Sequence, residues 1–171
     1  MNRVVVSGVG TEYQVTGQGR PVVLLHGFPD SGRLWRHQVP ALAGAGFQVI
    51  VPDLRGYGRS DKPGAVEAYS MSLLAGDVAA ILADLEIGRA HIVGHDWGAA
   101  LAWALAALAP GRVDHLVVLS VGHPAHEADQ DAARSRRPRP ARATLAREAP
   151  ADHAHGRGSQ IDPAEVVEEG E

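Results

Sequence analysis

The sequence predicts an α/β fold: a mostly parallel sheet of about six strands with helices on both faces. Three observations carry this expectation. Short, mainly apolar runs (Val22-Val23-Leu24-Leu25, Val49-Ile50-Val51, Ala90-His91-Ile92-Val93 and Leu116-Val117-Val118-Leu119) alternate with longer stretches of helical periodicity, the pattern of parallel βαβ units. A glycine-bounded pentapeptide, Gly94-His95-Asp96-Trp97-Gly98, joins one of these runs to the helix that follows it. Finally, the composition changes near residue 124, which places the ordered domain in 1–124.

The elements follow in order. Val4-Val5-Val6 and Tyr13-Gln14-Val15 read as a short hairpin turning at Gly8-Val9-Gly10. The run 22–25 reads as a strand buried on both faces, because nothing in it alternates with polar residues. Gly32 to Ala45 carries Leu34, Trp35, Val39 and Leu42 at helical spacing, with Pro40 expected to kink or divide the helix. Val49-Ile50-Val51 is a second buried strand. Leu74, Val78, Ile81, Leu82 and Leu85 mark one face of a helix capped by Ser70 or Ser72. After the strand 90–93, Trp97 to Ala109 is apolar nearly all round and is expected to be a buried helix, stopped by Pro110-Gly111. Leu116 to Leu119 is the last strand.

Composition narrows the function classes. The chain of 171 residues is 45% hydrophobic and 21% charged with a formal net charge of −4, values of a soluble globular domain without the basic excess of a nucleic-acid binder. It has no cysteine, so disulfides, thiolate zinc sites and cysteine nucleophiles are excluded. The longest purely apolar run, Ala99 to Ala109, is shorter than the roughly 18 residues a membrane span needs. The N-terminus shows no signal-peptide pattern, and the expected compartment is the cytoplasm. From Ala125 to Glu171 no aromatic residue occurs, and Leu145, Ile161, Val166 and Val167 are the only large aliphatics. That segment, 125–171, is expected to be an irregular, disordered tail with weak helix near Ala141 to Glu148. Its ten acidic residues outnumber its seven arginines, so it reads as a solvated tail and not as a nucleic-acid arm.

The chemistry concentrates at two motifs. A G-x-nucleophile-x-G pentapeptide between a strand and a helix is the pattern of a nucleophile elbow, which aims its middle side chain out of the sheet. Here the middle residue is Asp96. A carboxylate displaces at sp³ carbon to give an alkyl ester, which water must then cleave at the aspartate carbonyl. Serine esterase and lipase chemistry is thereby disfavoured. The structural alternative for Asp96 is a helix N-cap. The second motif, His26-Gly27-Phe28-Pro29, follows the strand 22–25, where an oxyanion donor is required; the candidate donors are the backbone N–H groups of Phe28 and Trp97. Gly56-Tyr57-Gly58 reads as a loop, since no phosphate-binding G-x-G-x-x-G is present. His91 and His95 flank one strand, but no carboxylate-and-histidine set at metal spacing accompanies them, so neither a metal nor a cofactor is expected.

Together with Trp35-Arg36-His37-Gln38 and Pro52-Asp53-Leu54-Arg55-Gly56-Tyr57-Gly58-Arg59-Ser60-Asp61-Lys62-Pro63, these motifs make residues 10 to 124 resemble the α/β-hydrolase superfamily, and within it the epoxide hydrolase branch. The resemblance implies an incomplete α/β-hydrolase core, Asp96 as nucleophile, the Phe28 and Trp97 amides as oxyanion hole, and a cis peptide at Phe28-Pro29. It implies a small-molecule substrate, an epoxide or, on the alternative haloalkane dehalogenase-like reading, an alkyl halide. His95 before Asp96 and Phe28 in the loop favour the epoxide branch; Trp97 disfavours fluoroacetate-type dehalogenases.

The same resemblance shows what the chain does not supply. The family fold has eight strands, a helical cap with two proton-donating tyrosines, a histidine base and an orienting acid. No tyrosine follows Tyr69, and Ser120 stands where an alternative acid would lie. The expectation is a chain without a cap domain, truncated or read out of frame after about residue 124, whose coding sequence downstream of Gly122 would decide between these. A non-catalytic fragment is the second functional reading, and the uncovered strand Leu116–Leu119 is expected to promote self-association.

Overall fold

The structure, a computed structural model, describes residues 1–123. The expected tail and its weak helix lie outside the described residues.

Six strands form one sheet in the order β1-β2-β4-β3-β5-β6. β1 (Asn2–Val6) and β2 (Val9–Thr16) form an antiparallel hairpin, and β2 pairs antiparallel with β4 (Phe47–Pro52). β3 (Arg20–Leu25), β4, β5 (Ala90–His95) and β6 (Val113–Leu119) run parallel. The hairpin turns at Ser7-Gly8 and not at Gly8-Val9-Gly10. Both turn residues have positive φ, 50° and 78°, as a two-residue turn between right-twisted strands requires.

Apolar continuity in β3 and β4 has a simple cause. Alternate residues point to opposite faces, and both faces are covered. Val23, Leu25, Ile50 and Ile92 meet α2 (Met71–Asp84) and α3 (Trp97–Leu108) through Val78, Ile81, Leu82, Leu101 and Leu105. Val22, Leu24, Val49 and Val51 meet Trp35 and the partly buried Leu34, Val39 and Leu42 on the other side.

The stretch read as one helix over Gly32–Ala45 is two pieces, a 3-10 turn Gly32–Trp35 and α1 (Gln38–Gly44). Pro40 sits in the first turn of α1, where a missing N–H breaks no helical bond. Ser70 is the N-cap residue of α2, yet its hydroxyl makes no cap bond and faces Ser72 instead. α3 corrects the expectation of a helix buried all round: Leu108 is 61% exposed. Trp103, Ala104 and Ala107 line an open groove with Met71, Val121 and His123.

The loop 53–62 is fastened at many points. Asp53 accepts the backbone N–H groups of Gly32 and Arg59. Ser60 Oγ donates to the Asp53 carbonyl and accepts from Glu12 N–H. Asp61 accepts from Gly10 N–H and Arg3. Arg55 points inward and forms a two-pronged bond with Asp77 of α2 at 2.9 and 2.6 Å, both side chains almost fully buried.

Candidate functional site

The strand order reverses at β3: the chain moves from β3 to β4 on one side and returns to β5 on the other. Ligands of open α/β sheets bind at the carboxyl ends of strands flanking such a point. Both motifs lie there. Leu25 pairs with Gly94, so the loop after β3 and the turn after β5 are neighbours.

Asp96 occupies the turn between β5 and α3 with φ 55° and ψ −123°. This is a sparsely populated conformation for a residue with a Cβ, held only when its surroundings over-determine it. Those surroundings are visible. Asp96 N–H donates to the Leu119 carbonyl, and its carbonyl accepts from Ala99 and Ala100. Gly94 and Gly98 permit the close approach: a Cβ on Gly94 would overlap the Gly98 carbonyl, and one on Gly98 would overlap the carbonyls of Leu25 and His26. Gly27 is equally constrained, because a Cβ there would strike the Asp96 side chain.

The carboxylate is gripped by backbone donors. Phe28 N–H donates to Asp96 Oδ1 at 2.9 Å. The Phe28 amide and then the Trp97 amide hold the Asp96 carboxyl below the usual carboxylate range; desolvation opposes them, and the nearby His95 adds a smaller favourable field. Asp96 is therefore ionised at neutral pH. The side-chain N-cap bond that the structural alternative would require is absent. The Phe28-Pro29 peptide is cis.

His26 holds the loop. It is fully buried; Nε2 lies 2.9 Å from the Leu54 N–H, which it accepts, and Nδ1–H donates to the Gly27 carbonyl. These partners assign the neutral tautomer, and burial pushes the imidazole pKa down. His26 is thus a positioning residue whose role the sequence reading left inside the motif without singling it out.

Phe28 and Trp97 are 64% and 58% exposed, two large rings open to solvent beside one carboxylate. A cavity of about 250 Å³ runs from Trp97 to Tyr57, Tyr69 and Met71, and a smaller one of about 180 Å³ is lined by Asp96, Trp97, Ala100 and Val121. Ser120, directly after the β6 residue that accepts from Asp96 N–H, carries no carboxylate. No metal-ligating group of three includes Asp96 among the described residues.

The sequence matches the alpha/beta hydrolase fold family over residues 20–165. It is 53% identical over 104 residues to epoxide hydrolase B of Mycobacterium tuberculosis, a match covering 61% of this chain and 29% of that protein. It is 46% identical over 116 residues to epoxide hydrolase A of the same organism, covering 66% and 36%. Among solved structures, epoxide hydrolase A from Mycobacterium thermoresistibile superposes with a TM-score of 0.69 at 40% identity, covering 77% of this chain and 44% of that one. The chain therefore spans about a third of the length of these curated relatives. With its reversed strand order, its glycine-bounded Asp96 turn and these matches, the chain belongs to the alpha/beta hydrolase fold family and is epoxide hydrolase-like within it.

Proposed function

We propose that Asp96 is a nucleophile that opens an epoxide at sp³ carbon to form an alkyl-enzyme ester. The observation that carries this reading is the Phe28 N–H donating to Asp96 Oδ1 at 2.9 Å, at a glycine-bounded turn with positive φ. With Oδ1 held by an amide, Oδ2 is the oxygen free to attack. Its lone pair forms the new C–O bond as the epoxide C–O bond breaks, and the bonding pair leaves on the epoxide oxygen, which takes a proton from water or an acid. Oδ1 then becomes the ester carbonyl oxygen. Water attacking that carbonyl would drive negative charge onto Oδ1, where the Phe28 amide already stands.

The second step also calls for a base, worth roughly 10²–10⁴-fold. Of the six histidines of the described residues, His37 and His95 form no ion pair with an acid, and the other four are engaged elsewhere. His26 is buried and doubly bonded, His91 and His115 stand with Asp114, and His123 packs on Trp103. His126, His153 and His155 lie outside the described residues. The chain, with its domain in 1–124, accordingly forms the ester and releases it slowly.

The test is intact-mass analysis of the full chain after exposure to a strained terminal epoxide and, separately, a reactive alkyl halide. The expected result is one adduct per chain, mapped to Asp96 and missing in Asp96→Ala, formed faster with the epoxide. An unmodified wild-type chain, or an adduct that survives in Asp96→Ala, would overturn the proposal; faster reaction with the halide would favour the dehalogenase-like alternative.

A further inference from the structure

A second cluster of chemistry-bearing side chains lies toward the other end of β5. The β5–β6 ladder contains a bulge: Ala90 pairs with Val113 and Ile92 with Leu116, so Asp114 and His115 together oppose the single residue His91. Strict alternation would send Asp114 and His115 to opposite faces. A bulge re-aims side chains, and here both reach His91. His91 Nδ1 is 3.4 Å from Asp114 Oδ2, His115 Nδ1 is 3.4 Å from the same oxygen, and the two Nδ1 atoms are 3.1 Å apart.

These separations match a coordination triangle. Ligand atoms bound at 2.0–2.1 Å around a tetrahedral zinc ion stand about 3.3 Å apart. Two imidazole nitrogens and one carboxylate oxygen suit a first-row transition ion and not magnesium or calcium, which take oxygen ligands. His91 is only 16% exposed, and its ring stands edge-on to Phe47 and to His115, so one ligand is fixed by packing. Asp114 and His115 are 45% and 75% exposed, which leaves the remaining coordination position open to water. Five residues of extended chain, about 16 Å, separate His91 from Asp96.

We propose that His91, Asp114 and His115 form a three-ligand site for a divalent first-row transition metal, zinc foremost, which ties strand β6 to β5. The expectation of no metal followed from local spacing; the ligands come together only through the bulge, 24 positions apart in the chain for the two histidines.

The test uses the full chain. Equilibrium dialysis against Zn²⁺ is expected to saturate at one ion per chain, and Co²⁺ is expected to give the intense visible bands of a tetrahedral ion. Zn²⁺ should raise the melting temperature, since it binds only the folded arrangement. His115→Ala and Asp114→Asn, both at exposed positions, should each weaken binding by more than the roughly 10–100-fold lost with an outer-shell partner and abolish the thermal shift. The chain has nine histidines, so His153→Ala/His155→Ala is the control and should bind as wild type. Absence of saturable binding, wild-type affinity in either ligand variant, or loss of binding in the control alone would overturn the proposal.

Discussion

The backbone N–H of Phe28 donates to Oδ1 of Asp96 at 2.9 Å, although 68 positions separate the two residues. The bond links the loop after β3 to the turn after β5 across the point where the strand order reverses. It also sets the electrostatics of the site, because the amide dipole favours the ionised carboxyl. Alkylation of Asp96 requires the ionised form. Its rate should therefore stay level as pH falls from 8 to about 4.5, above the ordinary aspartate value of about 3.9. Timed mass spectrometry across that range checks this; a rate already halved near pH 5.5 would show that the amides do not control the carboxyl.

The Arg55–Asp77 pair is a buried ion pair of the described core. Both side chains are at most 4% exposed, and Arg55 NH1 also donates to the Ala68 carbonyl. Asp77→Ala leaves a buried guanidinium without its carboxylate and should cost about 3–5 kcal/mol of stability. Urea unfolding measures this, and a loss below 1 kcal/mol would contradict it. Arg55, which Asp77 holds in place, forms part of the wall of the larger cavity beside Trp97, so the same variant should lower the alkylation rate.

His26 predicts a stability change in weakly acidic solution. Burial lowers its pKa in the folded chain, whereas the unfolded chain takes up the proton near the ordinary value of about 6.5. Between the folded and unfolded values the unfolded state binds more protons, so stability falls as pH drops below about 6.5, by up to ~1.4 kcal/mol per pH unit for one such group. Above that range the His26 contribution is fully present. Denaturant unfolding of wild type and His26→Gln at pH 5 to 7.5 should show a shallower pH dependence in the variant; parallel curves would refute the assignment.

β6 pairs with β5 alone among the described residues, and Val117 and Leu119 are 48% and 43% exposed. An apolar strand at a sheet edge invites pairing with another chain. The full chain should sediment as concentration-dependent oligomers, and Val117→Lys/Leu119→Lys should shift it toward monomer. A wild-type chain that stays monomeric at high concentration would contradict this.

Much of the fold was legible because its signals are local. The apolar runs of β3, β4 and β5 reflect burial on both faces, and the Gly94 and Gly98 spacing encodes a close approach within five residues. Signals that depend on distant partners were hidden. Ser7 takes a positive φ beside Gly8 at the hairpin turn, while Gly10, which suggested a longer turn, lies inside β2. Arg55 and Asp77 meet across 22 positions, in a loop and a helix whose packing sets the pairing. The bulge at Asp114-His115 breaks the strand period, so β6 was read as starting at Leu116 although it begins at Val113. At the candidate site, Asp96 and the Phe28 N–H that it accepts lie in motifs visible in the sequence, while the dual role of His26 required knowing that Leu54 passes beside it.

The central claim is that Asp96 forms the ester while the described fold lacks a paired base to release it. The most direct measurement counts diol released per chain, together with the Asp96 adduct, over a long incubation of the full chain with a strained epoxide. The expected course is slow accumulation of the adduct to one per chain, followed by diol release at least roughly 10²-fold slower than ester formation. Sustained turnover without adduct accumulation, abolished by Asp96→Ala, would contradict the account of the missing base; diol release unaffected by Asp96→Ala would contradict the nucleophile itself.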